Sequence, residues 1–184
     1  MSKVKTFKRD DVLDASVQVF WQKGFADTSI QDLEAATTLK KSSLYAEFQN
    51  KENLFLSSLE HYSKTTYGAG ILELRPLGWH NIEHFLKVRS TPRSGETGCF
   101  IIYAMREHCT FSPRMQRYLE ERVDHIQASF LKNIAAEKTI REPAQIAEIL
   151  MTFFVGLAFN DNLRSVGITA LNPIDELLTA LKSM

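Results

Sequence analysis

Hydrophobic residues recur along this chain at the three- and four-residue spacing of amphipathic α-helices. The first such segment runs from Asp10 to Lys23, with Leu13, Val17 and Phe20 on one face and Gly24 after it as a stop. No segment shows a convincing alternation with the period of two that a half-buried strand requires. The pattern therefore predicts an all-α fold.

The same spacing predicts further helices, about nine in the whole chain. Thr28 and Gln31 have the spacing of a capping box, which predicts that the second helix starts at Thr28. The third is predicted from Leu39 to Phe48, and Asn50 is expected to cap the fourth. Start signals and apolar periodicity place the later helices at Trp79 to Val88, at Cys99 to Cys109, from Ser112-Pro113, from Pro143, and after Asn172-Pro173.

The stretch from Gly68 to Gly78 is the best candidate for a domain boundary, because it interrupts the helical pattern with glycine and proline. We therefore predict an N-terminal module of residues 1–66 and a helical bundle of residues 67–184. A chain of 184 residues is long enough to bury a core without metal ions or disulfides.

Charge is balanced over the chain but segregated along it. Lys and Arg total 22, as do Asp and Glu, which excludes a strongly basic coating protein. Residues 1–9 nevertheless carry four cations and no acid, residues 10–37 one cation and six acids, and residues 38–51 three cations and one acid. Two local basic blocks are thus available to bind an anionic partner.

We find neither a predicted membrane span nor a secretory signal in this sequence. The longest apolar run, Ile149 to Phe159, is shorter than the roughly 20 residues of a membrane span, and the basic N-terminus lacks the apolar segment of a secretory signal. Cys99 and Cys109 form no disulfide framework. We therefore expect a cytoplasmic protein without a membrane partner.

Three helices near the N-terminus, with a tight joint between the second and third, predict a helix-turn-helix motif. The third helix of such a motif lies in the major groove, where base edges are distinguishable. Leu44 and Phe48 are expected to face inward. The polar outer set near the start of this helix is then Lys40, Lys41, Ser42, Ser43 and Tyr45.

The N-terminal region resembles the DNA-binding domain of TetR-type transcriptional repressors over about residues 7 to 60. The residues that carry the resemblance are Phe20, Gly24, Phe25, Thr28, Ser29, Ile30, Leu39, Ser43, Leu44, Tyr45, Phe48, Lys51, Glu52 and Leu54. The resemblance implies that phosphates are contacted by Thr28, Ser43, Tyr45 and Lys51. Base-facing roles fall to Lys40, Lys41 and Ser42.

The motif departs from the family pattern at a few positions. Thr38 stands where glycine is usual in the turn, and a β-branched residue tolerates a positive φ poorly. Lys40 replaces the usual serine cap of the third helix, and Ser42 replaces a common glycine. Glu47 would repel DNA if it faced the groove.

The resemblance also implies a C-terminal domain that forms a homodimer through its last two helices and binds an unidentified small-molecule inducer. The candidate dimer residues are Phe153, Phe154, Leu157, Ala158, Leu177, Leu178 and Leu181. Candidate pocket residues are Phe85, Tyr103, Met105, Phe111, Met115, Phe130 and Phe159. Each of these residues is also compatible with ordinary intramolecular core. The expected protein is a regulator, most simply a repressor that binds a palindromic double-stranded DNA operator, with no cofactor.

Three alternatives remain open at this level. Cys99, at a predicted helix start with Arg93 and Arg106 near in sequence, is either an electrophile or oxidant sensor or a small buried hydrophobe. His80, Glu83 and His84 match the H-x-x-E-H pattern of some zinc hydrolases, although no third ligand is evident, and no other catalytic motif is present. A helical adaptor that binds protein partners through its C-terminal apolar face is the third alternative; we expect a regulator and not an enzyme.

Overall fold

The computed structural model describes residues 7–66, 68, 70–90, 98–164 and 173–183, with side chains up to Phe159 in the helix that ends at Arg164. Over these residues the fold is all-α, as predicted, with nine α-helices. They are α1 (Arg9–Lys23), α2 (Ile30–Thr37), α3 (Lys41–Phe48), α4 (Lys51–Thr65), α5 (Trp79–Arg89), α6 (Phe100–Ala104), α7 (Pro113–Ile134), α8 (Pro143–Arg164) and α9 (Ile174–Lys182). Short 3₁₀ helices occupy Ile71–Glu73 and Met105–Thr110. None of the described helices is long and apolar enough to cross a bilayer.

The N-terminal helices α1 to α4 enclose an aromatic and aliphatic core. Leu13 and Phe20 on α1 are buried as the periodicity predicts, together with Leu44 of α3 and Phe55 of α4. The rings of Phe20 and Phe55 meet nearly edge to face with centroids 4.8 Å apart. Each such buried side chain contributes about 1.5–3 kcal/mol, so α1 and α4 form the rigid support on which α2 and α3 rest.

Helix α2 begins one residue later than predicted. Its cap is Ser29, whose hydroxyl accepts from Asp32 N at 3.1 Å while the Asp32 carboxylate accepts from Ser29 N at 2.9 Å. Thr28 is instead turned inward, and its hydroxyl donates to Gly24 O at 2.5 Å. The predicted capping box of Thr28 and Gln31 is therefore wrong by one position, because both Thr28 and Ser29 are competent caps and only packing selects between them.

Two other boundaries also differ from the prediction. Helix α3 starts at Lys41 rather than Leu39, because the turn before it runs through Thr38 in the left-handed region. The segment expected as one helix from Cys99 to Cys109 is divided into α6 and a 3₁₀ helix that begins at Met105. The caps predicted for α4 and α7 are confirmed: Asn50 accepts from Asn53 N, and Ser112 from Met115 N.

The C-terminal helices α5 to α9 pack against one another and also against the N-terminal helices. The rings of Phe85, Phe130 and Phe154 pack together where α5, α7 and α8 meet. Trp21 of α1 stacks on Phe100 of α6 with centroids 5.5 Å apart. Residue 66, the predicted boundary, follows the end of α4 directly; the division into two domains stays a prediction, since aromatic packing continues across it.

Candidate DNA-binding interface

The turn between α2 and α3 is held in a conformation that sequence analysis marked as unusual. Thr38 has φ 58° and ψ 12°, a left-handed conformation that is costly for a β-branched residue. Its hydroxyl donates to Thr37 O at 2.7 Å, and Thr37 in turn donates to Leu33 O. The turn is therefore wound as in a glycine-containing motif, with strain accepted at Thr38.

A carboxylate of α2 supplies the cap that α3 lacks in its own sequence. Lys40 stands at the cap position and makes no side-chain hydrogen bond to the helix. Instead, Glu34 accepts from Lys41 N at 2.7 Å. A negative charge at a helix N-terminus is favourable, so Glu34 fixes α3 against α2 and frees the Lys40 side chain for solvent.

The N-terminal end of α3 presents cations and hydroxyls outward. Lys40, Lys41 and Ser42 are exposed, whereas Ser43 and Tyr45 are half-buried. The ammonium of Lys41 lies 5.5 Å from the centroid of the Tyr45 ring. Leu44 and Phe48 point into the core on the opposite face. This arrangement gives one polar, basic helix end of the size that a major groove admits.

Glu47 does not stand alone on this surface. Its carboxylate lies 3.3 Å from Arg9 Nε at the start of α1, and the Arg9 guanidinium also covers the Phe48 ring at 5.1 Å. The Glu47 side chain is only 15% exposed. The repulsion expected from Glu47 is thus reduced, because a cation of α1 neutralises it. The basic block of residues 1–9 also includes residues 1–6, which lie outside the described residues.

Thr28 and Lys51, two residues predicted to contact phosphates, make their hydrogen bonds within the protein. Thr28 is 2% exposed and its hydroxyl is used internally, so its phosphate contact stays a prediction. The ammonium of Lys51 donates to Phe25 O at 2.8 Å and to Thr28 O at 2.9 Å, and it covers the Phe25 ring at 4.4 Å. Burial lowers the pKa of Lys51. Its first role is therefore to hold the loop between α1 and α2, and its phosphate contact stays a prediction.

A residue that sequence analysis missed holds the same loop from the other side. The Glu107 carboxylate accepts from Phe25 N at 2.8 Å and from Ala26 N at 2.7 Å. Gly24, with φ 84°, makes this approach possible, since a Cβ there would lie 2.5 Å from Glu107 Oε1. Glu107 lies in the 3₁₀ helix that follows α6, so this contact joins the C-terminal helices to the start of the helix-turn-helix. An acid 81 residues distant carries no local signal of this pairing.

A cavity of about 360 Å³ lies among α4, α5, α6 and α7. Its lining includes Tyr62, Leu72, Phe85, Arg89, Cys99 and Arg122. Phe85 is the only one of the seven predicted pocket residues in that lining. Phe111, Met115 and Phe130 are buried in the core, Tyr103 and Met105 are half-buried outside the lining, and Phe159 is 47% exposed on α8. These six residues do not line this cavity, because aromatic character marks core and cavity alike, and their role as ligand contacts stays a prediction.

Residues 12–57 match the family model described as bacterial regulatory proteins, tetR family. This N-terminal part of the chain is therefore similar to tetR-family regulators. Among curated relatives, the transcriptional repressor ComR of Escherichia coli K12 is 50% identical over 58 residues, which cover 32% of this chain and 28% of ComR. The regulator YezE of Bacillus subtilis is 25% identical over 147 residues, 75% of this chain and 74% of that protein.

Solved structures extend the likeness to the whole tetR-family fold. A cysteine mutant of the regulator CifR in complex with operator DNA superposes with a TM-score of 0.77 at 23% identity, covering 98% of this chain and 96% of CifR. Reduced NemR of E. coli gives a TM-score of 0.75 at 18% identity, covering 95% and 94%. The family is one of transcriptional regulators rather than enzymes, and the fold of both layers is that of its members.

The chain exposes a different face of α8 from the one predicted for the dimer. Phe154, Leu157 and Ala158 are buried in the chain's own core, as are Leu178 and Leu181 of α9. Phe153 and Leu177 are half-buried and pack against that core. The exposed stripe of α8 instead consists of Ile149, Thr152, Val155, Gly156 and Phe159. Periodicity identified apolar residues, and five of the seven are core of this single chain, while the dimer interface itself stays a prediction.

The histidines of the zinc-hydrolase alternative do not converge on a site. His80 and His84 are exposed on α5. Glu83 accepts from Lys87 at 2.7 Å and lies 3.5 Å from Lys182 Nζ, so that its carboxylate joins α5 to α9. Both lysines hold the pKa of Glu83 below its usual range. In the part of the chain that the structure describes, no three His, Cys, Asp or Glu side chains form a metal-type cluster.

Proposed function

We propose that this protein is a transcriptional repressor that binds a palindromic operator as a homodimer and is released by a small molecule. The observation that carries the proposal is the exposed N-terminal end of α3, where Lys40, Lys41 and Ser42 stand outward on a helix capped by Glu34. Such a helix end presents donors to phosphates and base edges. Repression, rather than activation, is supported by the names of relatives such as ComR and the negative regulator IcaR.

The exposed stripe of α8 supports the homodimer. Ile149, Val155 and Phe159 are each more than a third exposed, and Gly156 between them meets no atom within 4 Å of an added Cβ. An apolar stripe with a glycine at its centre allows close approach of a second helix. A dimer places two recognition helices on successive half-sites, and the second contact gains from effective concentration.

The homodimer has a direct test with a matched control. Phe159→Lys places a charge in the stripe and is expected to shift the protein to a monomer in analytical ultracentrifugation. Ile140→Lys is the control, because Ile140 is 88% exposed in the turn between α7 and α8, away from the stripe. A Phe159→Lys protein that keeps its dimer would contradict this interface.

The cavity and the Glu107 contact support release by a small molecule. Cys99 and Ile101, at the start of α6, line the cavity, and Glu107 follows α6 by three residues. A ligand that displaces α6 therefore acts on the loop before α2. Coupling of about 1–3 kcal/mol would weaken operator binding roughly 5- to 150-fold.

Cys99 would be a second trigger for the same release only if it acts as an electrophile sensor. The thiol is 1% exposed and forms part of the cavity lining. As an electrophile sensor it would react with compounds that enter the cavity; as a small hydrophobe it would only pack. The two roles differ in the rate at which Cys99 is alkylated.

Selection of operator sequences from random double-stranded DNA tests the repressor proposal. We expect enrichment of a palindrome whose affinity falls steeply as salt concentration rises, because cationic side chains release counterions from phosphates. The adaptor alternative predicts no enrichment above the non-specific background, and that result would overturn the proposal.

A further inference from the structure

We propose that the cavity binds an apolar organic anion, specifically a compound with a hydrophobic body and one carboxylate. This inference rests on the proposed ligand response and deepens it by naming the chemical class. It depends on three features of the described lining residues: apolar walls, two arginines that border one chamber, and a glutamate, Glu73, that is engaged by neighbours on α7.

The walls of the cavity suit a hydrophobic body. The apolar side chains that line it are Leu72, Phe85, Ile101 and Ile126. A volume of about 360 Å³ lies within the range of small-molecule sites, which are mainly apolar with a few placed polar groups. A purely ionic ligand would leave these walls without a partner.

Arg89 is a guanidinium held in position by rings and hydroxyls. Its Nη1 donates to Tyr62 Oη at 2.8 Å and to Thr66 Oγ1 at 3.0 Å. The rings of Tyr62 and Phe85 lie 5.5 and 5.6 Å from its central carbon. Burial raises the pKa of Tyr62, so the phenol stays protonated and neutral beside the arginine. A guanidinium fixed in this way keeps a planar set of donors oriented for a carboxylate.

Arg122 of α7 supplies a second cation with an unused donor. Its Nε is buried and has no hydrogen-bond partner among the described residues. Buried donors are ordinarily satisfied, and one left without a partner costs free energy. A carboxylate oxygen in the cavity would satisfy such a donor, whereas an ammonium or an alkyl group would not.

The acid of the lining is engaged by groups on α7. Glu73 lies 3.3 Å from His125 Nε2 and accepts from Ser129 Oγ at 3.2 Å. Among the described lining residues, Arg89 and Arg122 carry two formal positive charges and Glu73 carries one negative charge. A single anionic group on the ligand complements that excess, and a cationic group opposes it.

Three probes of equal size and different charge test this inference: 4-phenylbutyrate, 4-phenylbutanamide and 4-phenylbutylamine. Isothermal titration calorimetry on the full chain measures their affinities at one pH and salt concentration. We expect the carboxylate to bind at least ~10-fold more tightly than the amide, because its hydrogen bonds are charge-assisted, and the amine to bind least. Equal affinity of acid and amide, tighter binding of the amine, or no binding of any probe overturns the proposal.

A matched pair of variants locates the effect. Arg122→Gln is expected to remove most of the preference for the carboxylate over the amide, whereas Arg117→Gln, an exposed position on the same helix, is expected to retain it. Retention of the full preference in both Arg122→Gln and Arg89→Gln would place the anion elsewhere and overturn the assignment. Operator binding by the ligand-free protein is measured in parallel. If the protein binds its operator but shows no preference for the carboxylate, only this inference is refuted. If it prefers the carboxylate but binds no operator, only the repressor proposal is refuted.

Discussion

The contact between Glu107 and the loop preceding α2 has a predictable energetic weight. Glu107→Ala leaves two backbone donors, Phe25 N and Ala26 N, without their acceptor. The Phe25 amide is partly buried, so its charge-assisted bond is expected to contribute about 1.5–3 kcal/mol, and the exposed Ala26 amide less than about 1 kcal/mol because water replaces the lost partner. We therefore expect the free energy of unfolding to fall by about 1.5–4 kcal/mol.

Urea denaturation followed by circular dichroism measures this loss, and Gly24→Ala sharpens it into a double-mutant cycle. In the wild-type background a Cβ at Gly24 lies 2.5 Å from Glu107 Oε1 and the backbone has φ 84°, so both clash and strain destabilise the protein. In the Glu107→Ala background only the strain remains. The two changes should be non-additive by about 0.5–3 kcal/mol, as for side chains in direct contact.

Two results would refute this reasoning. A loss below about 0.5 kcal/mol in Glu107→Ala would put it among ordinary surface substitutions. Strictly additive losses in the cycle would mean that Gly24 is required for its backbone conformation alone. Glu107→Gln provides an intermediate control, since an amide offers one acceptor oxygen in place of two and no negative charge.

Three further predictions concern the DNA surface, the α2 cap and the thiol. Lys41→Ala and Tyr45→Ala should each weaken operator binding while gel filtration still gives a dimer, and Lys41→Ala should lower the salt slope by about 1; loss of the dimer would mean that these side chains belong to the core. Lys23 and Ser29 hold the pKa of Asp32 well below its usual range. The carboxylate therefore stabilises the fold above the unfolded pKa of about 3.9, and this stabilisation is lost as the pH falls toward the pKa of Asp32 in the folded protein. Asp32→Asn should therefore be less stable than wild type at neutral pH, and the difference should shrink below about pH 4; a difference independent of pH would contradict the capping role. Limiting maleimide, followed by mass spectrometry, should label exposed Cys109 before buried Cys99, and faster labelling of Cys99 would support the sensor role.

Periodicity and local signals predicted the helices well because helix formation depends mainly on nearby residues. The caps at Asn50 and Ser112 were identified correctly, and so were the inward Leu44 and Phe48. The error at Thr28 is of a different kind. Two adjacent hydroxyl residues can each cap α2, and the choice depends on whether Thr28 reaches Gly24 O, a contact that no pattern of spacing encodes.

The cavity and the exposed face of α8 were harder to predict because both depend on what an apolar side chain faces. Phe130 and Phe85 have the same character, yet one is fully buried between helices and the other also borders the cavity. Likewise Phe154 packs inside the chain and Phe159 stands outside, although both belong to one apolar helix. The sequence of α8 is apolar on all sides, so its period could not divide the inner face from the outer one.

The loop between α1 and α2 is held by one side chain from each layer of the protein. Glu107, beyond α6, accepts from the amides of Phe25 and Ala26, and Lys51, at the start of α4, donates to the carbonyls of Phe25 and Thr28. The two residues thus contact opposite polar edges of the same short segment. A shift of the 3₁₀ helix relative to α4 would therefore act on the beginning of α2.

This geometry gives the linkage between cavity and operator a specific test. Because coupling free energy is reciprocal, a ligand that weakens operator binding must bind the operator complex less tightly by the same factor. Glu107→Ala should leave ligand affinity of the free protein near its wild-type value, since Glu107 is not in the cavity lining, and should bring the ratio of free to operator-bound ligand affinity toward one. A wild-type ratio in Glu107→Ala would show that the signal reaches α2 without this contact, through the aromatic packing of Trp21 on Phe100.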